Sequence, residues 1–417
     1  MTTRTADAAA SLPPGAAIGT PAYRRICLAL FLAGFATFSL LYSVQPLLPE
    51  FARDFGVGAG SSALALSLTT GLLAVSILFA GALSQSVGRR WLMFASMVLA
   101  ASCNLVAACA PSWHLLLVAR AVEGVVLGGV PAVAMAYLSE EIDARGLGYS
   151  MGLYVGGTAF GGMSGRVIMG MLTDAYGWRA ALAAISVLGL VVAVGFVLLL
   201  PPSRRFVRTA GMGVAQHARI WRDHLRSPSL PLLFLAGCLL VGVLVSIFNT
   251  IGFRLSGPGF GLGQGDIGLI FTAYLLGMGV SPMAGSLADR LGRAPVLMAG
   301  VLLMGAGVLL TLSSLLWVVI AGICVLTLGF FGAHAVCSGW VGIVAAHSKG
   351  HASSMYLLIY YLGASVLGVA GGWFWERSEW PAVVAFCLVL LLAALWVAWA
   401  LRAAARSATG GGEARRP

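Results

Sequence analysis

Twelve apolar stretches, each near the length that carries a helix across a bilayer, follow one another along 417 residues and leave this chain few ways to fold in water. About 20 consecutive apolar residues cross the hydrocarbon layer as a helix. The stretches fall at 26–46, 61–83, 92–110, 115–137, 148–172 and 179–200, then at 230–253, 266–287, 295–312, 316–340, 353–375 and 381–402. Hydrophobic residues are 59% of the chain and charged residues 9%, and the mean hydropathy is +0.95, so too few polar groups remain to clothe a soluble surface. The expected fold is an all-α polytopic membrane protein with 12 transmembrane helices in two six-helix bundles, 26–200 and 230–402. A tail at 1–25, a basic linker at 201–229 and a tail at 403–417 complete it.

The two bundles repeat each other. GALSQSVGRR from Gly81 returns 204 positions later as GSLADRLGRA from Gly285, and the same offset pairs Ser150-Met151 with Ser354-Met355, Gly128 with Gly332, and Gln45 with Asn249. Such a register indicates two homologous, pseudo-symmetric halves. Gly81, Gly88, Gly285 and Gly292 permit a tight bend, while Arg89, Arg90, Arg290 and Arg293 hold the turn at the headgroups.

Basic residues set the expected orientation. Arg4, Arg24, Arg25, Arg89, Arg90, Arg145, the run Arg204 to Arg226 (Arg208 among them), Arg290, Arg293 and Lys349 collect on one side, whereas the other keeps Arg53, Arg179, Arg254 and Arg377. By the positive-inside rule both termini are cytoplasmic. The polar first 25 residues read as the lead of an uncleaved signal anchor, placing the protein in a bacterial inner membrane. The net charge of +11 is scattered over several turns, which suits anionic lipid and not nucleic acid. All seven cysteines lie in apolar stretches, and neither a disulfide framework nor a metal site is implied. The linker is expected to carry a short amphipathic helix near Ile220, and GPGFGLGQG from Gly257 to form a flexible outer turn.

The repeated turn, GxLxDxxGRR, resembles the loop signature of the major facilitator superfamily, and the resemblance extends from Cys27 to Arg402. YSVQPLLPEF, YLSEE, GGMSGR, FFGAH and SMYLLIYYLG look most like the YnfM-type branch of drug and metabolite efflux transporters. The resemblance implies alternating access and a gate in which the acid of the turn faces a helix N-terminus. Asp289 keeps that acid in the second turn; the first has Gln85, which predicts a weaker latch, with Glu140 or Glu141 pairing with Arg89 or Arg90 instead. Arg120, Glu123 and Gly124 match the family pattern RxxQG with an acid in place of Gln, and the family ties that arginine to coupling. In the fifth stretch Gly157, Gly161 and Gly165 meet the antiporter pattern GxxxGPxxGG, but Gly162 replaces its proline and Arg166 its last glycine.

Ionisable groups inside a membrane are costly and therefore pair or work. Glu123 and Arg120 are three residues apart on one helical face. Arg120 and Arg166 both fall roughly 9 Å outward of their span centres by helix rise, which makes an Arg-Glu-Arg cluster feasible. Glu123 reads either as half of a permanent salt bridge or as a proton carrier: burial opposes its charge, arginines favour it, and opening the cavity to the other side changes the balance. The surplus positive charge suits an anionic substrate group. His334 is the second titratable candidate, a proton carrier or a packed, hydrogen-bonded ring. Gln45 and Asn249 are cavity-lining by resemblance, or caps of their helices. Tyr42, Tyr154, Tyr274, Tyr356, Tyr360 and Tyr361 supply aromatic surface with hydroxyl handles, Tyr356 and Tyr360 sharing one helical face.

Three functions follow. The leading one is proton-coupled efflux of a small organic molecule; the alternatives are proton-coupled uptake of an anionic metabolite and a nontransporting receptor on the same fold. No nucleotide-binding GxxxxGK[ST], nucleophile with a base, or metal-ligand pair at helical spacing occurs, so neither an enzyme nor a cofactor is expected. One chain can complete the cavity, and a monomer is expected.

Overall fold

The structure, a computed structural model, describes residues 14–206, 214–345 and 348–413. Arg4 and Arg208, part of the basic count above, lie outside them. The first half consists of α1 (Pro21–Tyr42), α2 (Leu48–Phe55), α3 (Ala59–Val87), α4 (Arg89–Ala108), α5 (Trp113–Leu127), α6 (Pro131–Glu141) and α7 (Ala144–Leu199). The linker carries α8 (Val214–Leu225). The second half consists of α9 (Leu230–Ser256), α10 (Gln264–Ile270), α11 (Tyr274–Leu291), α12 (Arg293–Leu310), α13 (Leu316–Val344) and α14 (Lys349–Glu413).

Straight, the 56 residues of α7 would reach about 84 Å, far beyond a bilayer. Gly177, at φ 78°, breaks the run, and Ser378 and Glu379 break α14 in the same way. Each therefore crosses twice. Elsewhere proline removes a ladder donor and segments a crossing: beyond α1, Pro46 sits in the 3-10 turn Gln45–Leu47 that leads into α2, and Pro131 opens α6 after a break in α5. With α10 and α11 sharing one crossing, the described residues cross twelve times. The periphery is apolar, Trp317 being 79% and Leu198 78% exposed. Such a surface requires lipid around it.

The repeat is visible in the backbone. Gly88 stands at φ 90°, ψ 145° and Gly292 at φ 92°, ψ 150°, each ending one helix and starting the next, in a region that side chains disfavour. Gln45 Nε2 donates to Asn249 Oδ1 at 2.7 Å. Repeat-equivalent residues thus touch, and the pseudo-two-fold axis between the halves passes beside them. Within the first half, Gly157, Gly161 and Gly165 of α7 meet the backbone of Phe31, Phe35 and Ser39 in α1, the close approach that small residues allow in membranes.

One end of the bundle, the linker face, gathers the chain start, the turn after α6 and the linker. There Ala16 N–H donates to the Glu141 carbonyl at 2.8 Å, and Glu141 Oε1 accepts from the N–H groups of Arg204 and Arg205 at 2.7 and 2.9 Å. Hydrogen bonds joining the halves lie from the opposite, far face to mid-depth. The Asp174 carboxylate accepts from Gln264 N–H at 2.8 Å and Gly265 N–H at 2.7 Å; Gln264 Nε2 donates to Glu50 at 3.1 Å; Gly60 N–H donates to Glu376 at 2.8 Å. Ser365 Oγ donates to the Ser67 carbonyl at 2.7 Å, about 12 Å in from the start of α3 by helix rise. The glycine-rich stretch from Gly257 is thus not merely a flexible turn. Its end opens α10, whose free N–H groups hold an acid of the other half.

A Cβ on Gly161 would come within 2.2 Å of the Phe35 carbonyl oxygen, whereas nothing lies within 4 Å of one on Gly156. Gly161→Val should therefore destabilise the protein by at least about 1–3 kcal/mol and Gly156→Ala should not, measured as thermal unfolding midpoints in detergent.

Candidate functional site

Arg120 of α5 has no exposed surface. Its Nη1 donates to Glu123 Oε2 at 2.6 Å and to Asn104 Oδ1 of α4 at 3.1 Å. Nη2 donates to the Leu41 carbonyl at 2.9 Å and Nε to the Ala65 carbonyl at 3.0 Å. Asn104 passes the network on to Ser186 of α7 at 3.1 Å, and Thr69 of α3 donates to the Arg120 carbonyl at 2.9 Å. The guanidinium thus joins α1, α3, α4 and its own α5 directly, and α7 through Asn104. Glu123, also without exposed surface, uses one oxygen for Arg120; the other, Oε1, is buried with no hydrogen-bond partner.

Arg166 lies apart from this pair. Its Nε donates to Gln45 Oε1 at 2.6 Å and its Nη1 to the Gly162 carbonyl at 2.7 Å. The guanidinium is 4.0 Å from the ring centre of Tyr42, 4.9 Å from that of Tyr274 and 5.2 Å from that of Phe271. The three-residue cluster suggested by depth therefore divides in two: α5 turns Arg120 into the first half, whereas α7 turns Arg166 toward the second. Arg166 is 2% exposed, and the partners found for it are neutral amide, carbonyl and aromatic groups. Cation–π contact of this kind is stronger when water is excluded.

Across the junction the second half presents a continuous aromatic wall. His334 Nδ1 is 2.9 Å from the Tyr356 hydroxyl, its ring stacks on Phe330 at 5.5 Å, and the Tyr360 ring centre is 4.9 Å away. From Phe330 the wall continues through Phe331 at 5.3 Å to Tyr274 at a further 5.5 Å, the ring that faces the Arg166 guanidinium, and Tyr361 meets Tyr360 edge-on at 5.3 Å. Tyr154 is buried with its hydroxyl unpartnered. Gln45, Asn249 and Arg166 thus meet at the junction of the halves, and the aromatic wall that faces Arg166 carries His334, Tyr356 and Tyr360; Tyr154 packs within the first half against α1, and Arg120 and Glu123 stand behind the junction in the first half. Asn104, Ser186 and Phe271 were absent from the sequence-based set. Asn104 was legible as an amide inside an apolar stretch, but a count restricted to charges passes over it.

The repeated turns lie at the linker face. Arg89 grips Glu140, with Nε donating at 2.5 Å and Nη2 forming a second bond, and Nη1 reaches Ser84 at 3.1 Å. Gln85 Oε1 is buried without a partner. Arg90 donates to the Val197 carbonyl. In the second turn Asp289, 74% exposed, pairs with its neighbour Arg293 at 3.4 Å. The hydrogen bonds described for these turns stay within their own half, while the far face is bonded across.

Removing Arg120 alone would strand a buried carboxylate, a change that costs about 3–5 kcal/mol, whereas apolar replacement of a whole buried pair is often neutral. Arg120→Leu should unfold at a much lower temperature than the parent chain, and Arg120→Leu/Glu123→Leu should recover more than half of the loss in the same detergent.

Comparison with known proteins agrees with this architecture. The sequence model of the Major Facilitator Superfamily matches residues 26–264 and 255–417. The MFS-type transporter YybF of Bacillus subtilis is 44% identical over 380 residues, 91% of this chain and 94% of that protein. The inner membrane transport protein YnfM of Escherichia coli is 45% identical over 379 residues, 91% of each. A bacterial homologue of the human lysosomal transporter Spinster, solved inward-facing and occupied, superposes with a TM-score of 0.78 at 13% identity, covering 93% of this chain and 98% of that one. The chain is a multi-pass membrane protein of the major facilitator superfamily.

Proposed function

We propose that this transporter-family protein exports a small organic molecule in exchange for protons, by rocking its two halves about the junction at Gln45 and Asn249. One observation carries the coupling. Glu123 holds Arg120 with one oxygen, and its other oxygen is buried without a partner. A carboxylate in that position is poised to accept a proton, and protonation would loosen its hold on Arg120 and hence on the helices that Arg120 joins. The residues at the junction support transport: aromatic surface with a few oriented polar groups, drawn from both halves, suits a small organic ligand once the halves part.

The linker face is assigned to the cytoplasm of a bacterial inner membrane, with both termini there, because the basic residues gather at that end. Bonding across the far face then supports a state in which the halves part on the inner side. Outward transport rests on the likeness of the sequence motifs to the efflux branch. Uptake of an anionic metabolite with protons is the second reading, favoured by Arg166, whose described partners carry no opposite charge. The junction residues all come from one chain, which supports a working monomer.

Proteoliposomes holding an interior pH dye, challenged in turn with cationic drugs, sugars and carboxylates, test the coupling. Substrate-dependent proton movement should occur with the parent protein and fall at least about tenfold with Glu123→Gln, the scale expected for loss of an essential proton-transfer group. Undiminished flux in that variant would make the Arg120–Glu123 pair structural and move coupling to His334.

A further inference from the structure

A cavity of about 420 Å³ opens at the linker face, lined by none of the junction residues Gln45, Arg166 and Asn249. Arg25 of α1, Arg90 of α4 and Arg204 and Arg205 of the linker line it, with Glu141 as the acid among the lining residues. Ile26, Leu198, Leu199 and Leu200 form its apolar side. From these groups we infer that the cavity binds a phosphate group, and that the natural ligand is the headgroup of an anionic phospholipid.

The cavity is built into the fold. The chain start is fixed to the turn after α6 by the Ala16–Glu141 hydrogen bond, and Asp143 N–H donates back to the Ala16 carbonyl at 3.3 Å. The Tyr137 hydroxyl donates to the Pro201 carbonyl at 2.8 Å, and the Glu141 carboxylate takes the N–H groups of Arg204 and Arg205. Glu141 is thereby turned to the linker backbone and leaves the arginines in excess. Arg90 spends one nitrogen on the Val197 carbonyl, yet its Nε, like the Nε of Arg205, is buried with no hydrogen-bond partner among the described residues. Two guanidinium donors held out of water without an acceptor are an unfavourable arrangement that a bound oxyanion would relieve.

The chemistry selects phosphate. Several guanidinium groups converging on one cavity match phosphate oxygens, which they grip through parallel charge-assisted bonds. The position selects lipid. The cavity lies where α1 begins and α7 ends, at headgroup depth, and its leucine and isoleucine side gives acyl chains a surface to follow. Basic pockets between transmembrane helices on this side of a membrane are suited to anionic headgroups. Occupation would also join α1, α4, the end of α7 and the linker through one ligand.

The test uses the purified full chain in nonionic detergent, with thermal unfolding midpoints measured against increasing dioleoyl phosphatidylglycerol, dioleoyl phosphatidylcholine or inorganic phosphate. Phosphatidylglycerol should raise the midpoint and phosphatidylcholine should not. In Arg25→Gln/Arg205→Gln the lipid concentration giving half the effect should rise about tenfold or more, as expected when two charge-assisted contacts are lost. Arg219→Gln/Arg222→Gln, on the exposed side of α8, should respond as the parent does. If inorganic phosphate alone gives the same shift with the same dependence on Arg25 and Arg205, the site stands and its ligand is a soluble phosphate. A phosphatidylglycerol effect that survives the cavity substitutions, or that weakens equally in the α8 variant, overturns the proposal.

Discussion

A guanidinium inside a membrane has five N–H donors to satisfy and no water to satisfy them. Arg120 does so with a carboxylate, an amide and backbone carbonyls from neighbouring helices, and much of the first half follows from that requirement. The carbonyls of Leu40 and Leu41 belong to the last turn of α1. Holding them fixes where α1 stops and where the chain turns through Gln45. That turn in turn puts Tyr42 and Gln45 against Arg166, so the junction inherits its position from a network buried behind it.

Close backbone approach occurs within and between the halves. Within the first half Gly161 meets Phe35, and between the halves Gly60 meets Gly372 and Gly170 meets Gly268. Polar contacts across the junction, the Asp174 cap on α10 and the Gln45–Asn249 pair among them, add to that packing. Smooth small-residue faces joined by separable polar bonds are suited to two halves that part and re-form their contact. The cap is informative because the free N–H groups of a helix start are satisfied by a carboxylate that leaves if the halves part at that face.

The repeat of 204 residues was the most legible feature of the chain, because a tight turn needs glycine at fixed positions whatever the surroundings. Gly88 and Gly292 accordingly share one backbone conformation, and Gln45 and Asn249, paired by arithmetic, are paired by a hydrogen bond. The depth of Arg120 and Arg166 follows from counting residues, but the direction each faces depends on helix rotation, which counting does not supply. That is why a single charged cluster was expected where the structure has two sets. Asp174 and Gln264 are 90 residues apart, and no local pattern foretells that a glycine-rich turn ends in a capped helix.

Rigid halves rocking about the Gln45–Asn249 junction are the core of this account, and spin-label distances in lipid membranes test that most directly. Ser86 and Arg290 are repeat-equivalent exposed positions at the linker face, Pro111 and Leu315 at the far face. The account predicts two populations in which one distance shortens as the other lengthens, while Ser86 to Tyr149, within one half, stays constant. Distances that do not change in opposite senses, or a Ser86–Tyr149 distance that changes as much as the others, would contradict it.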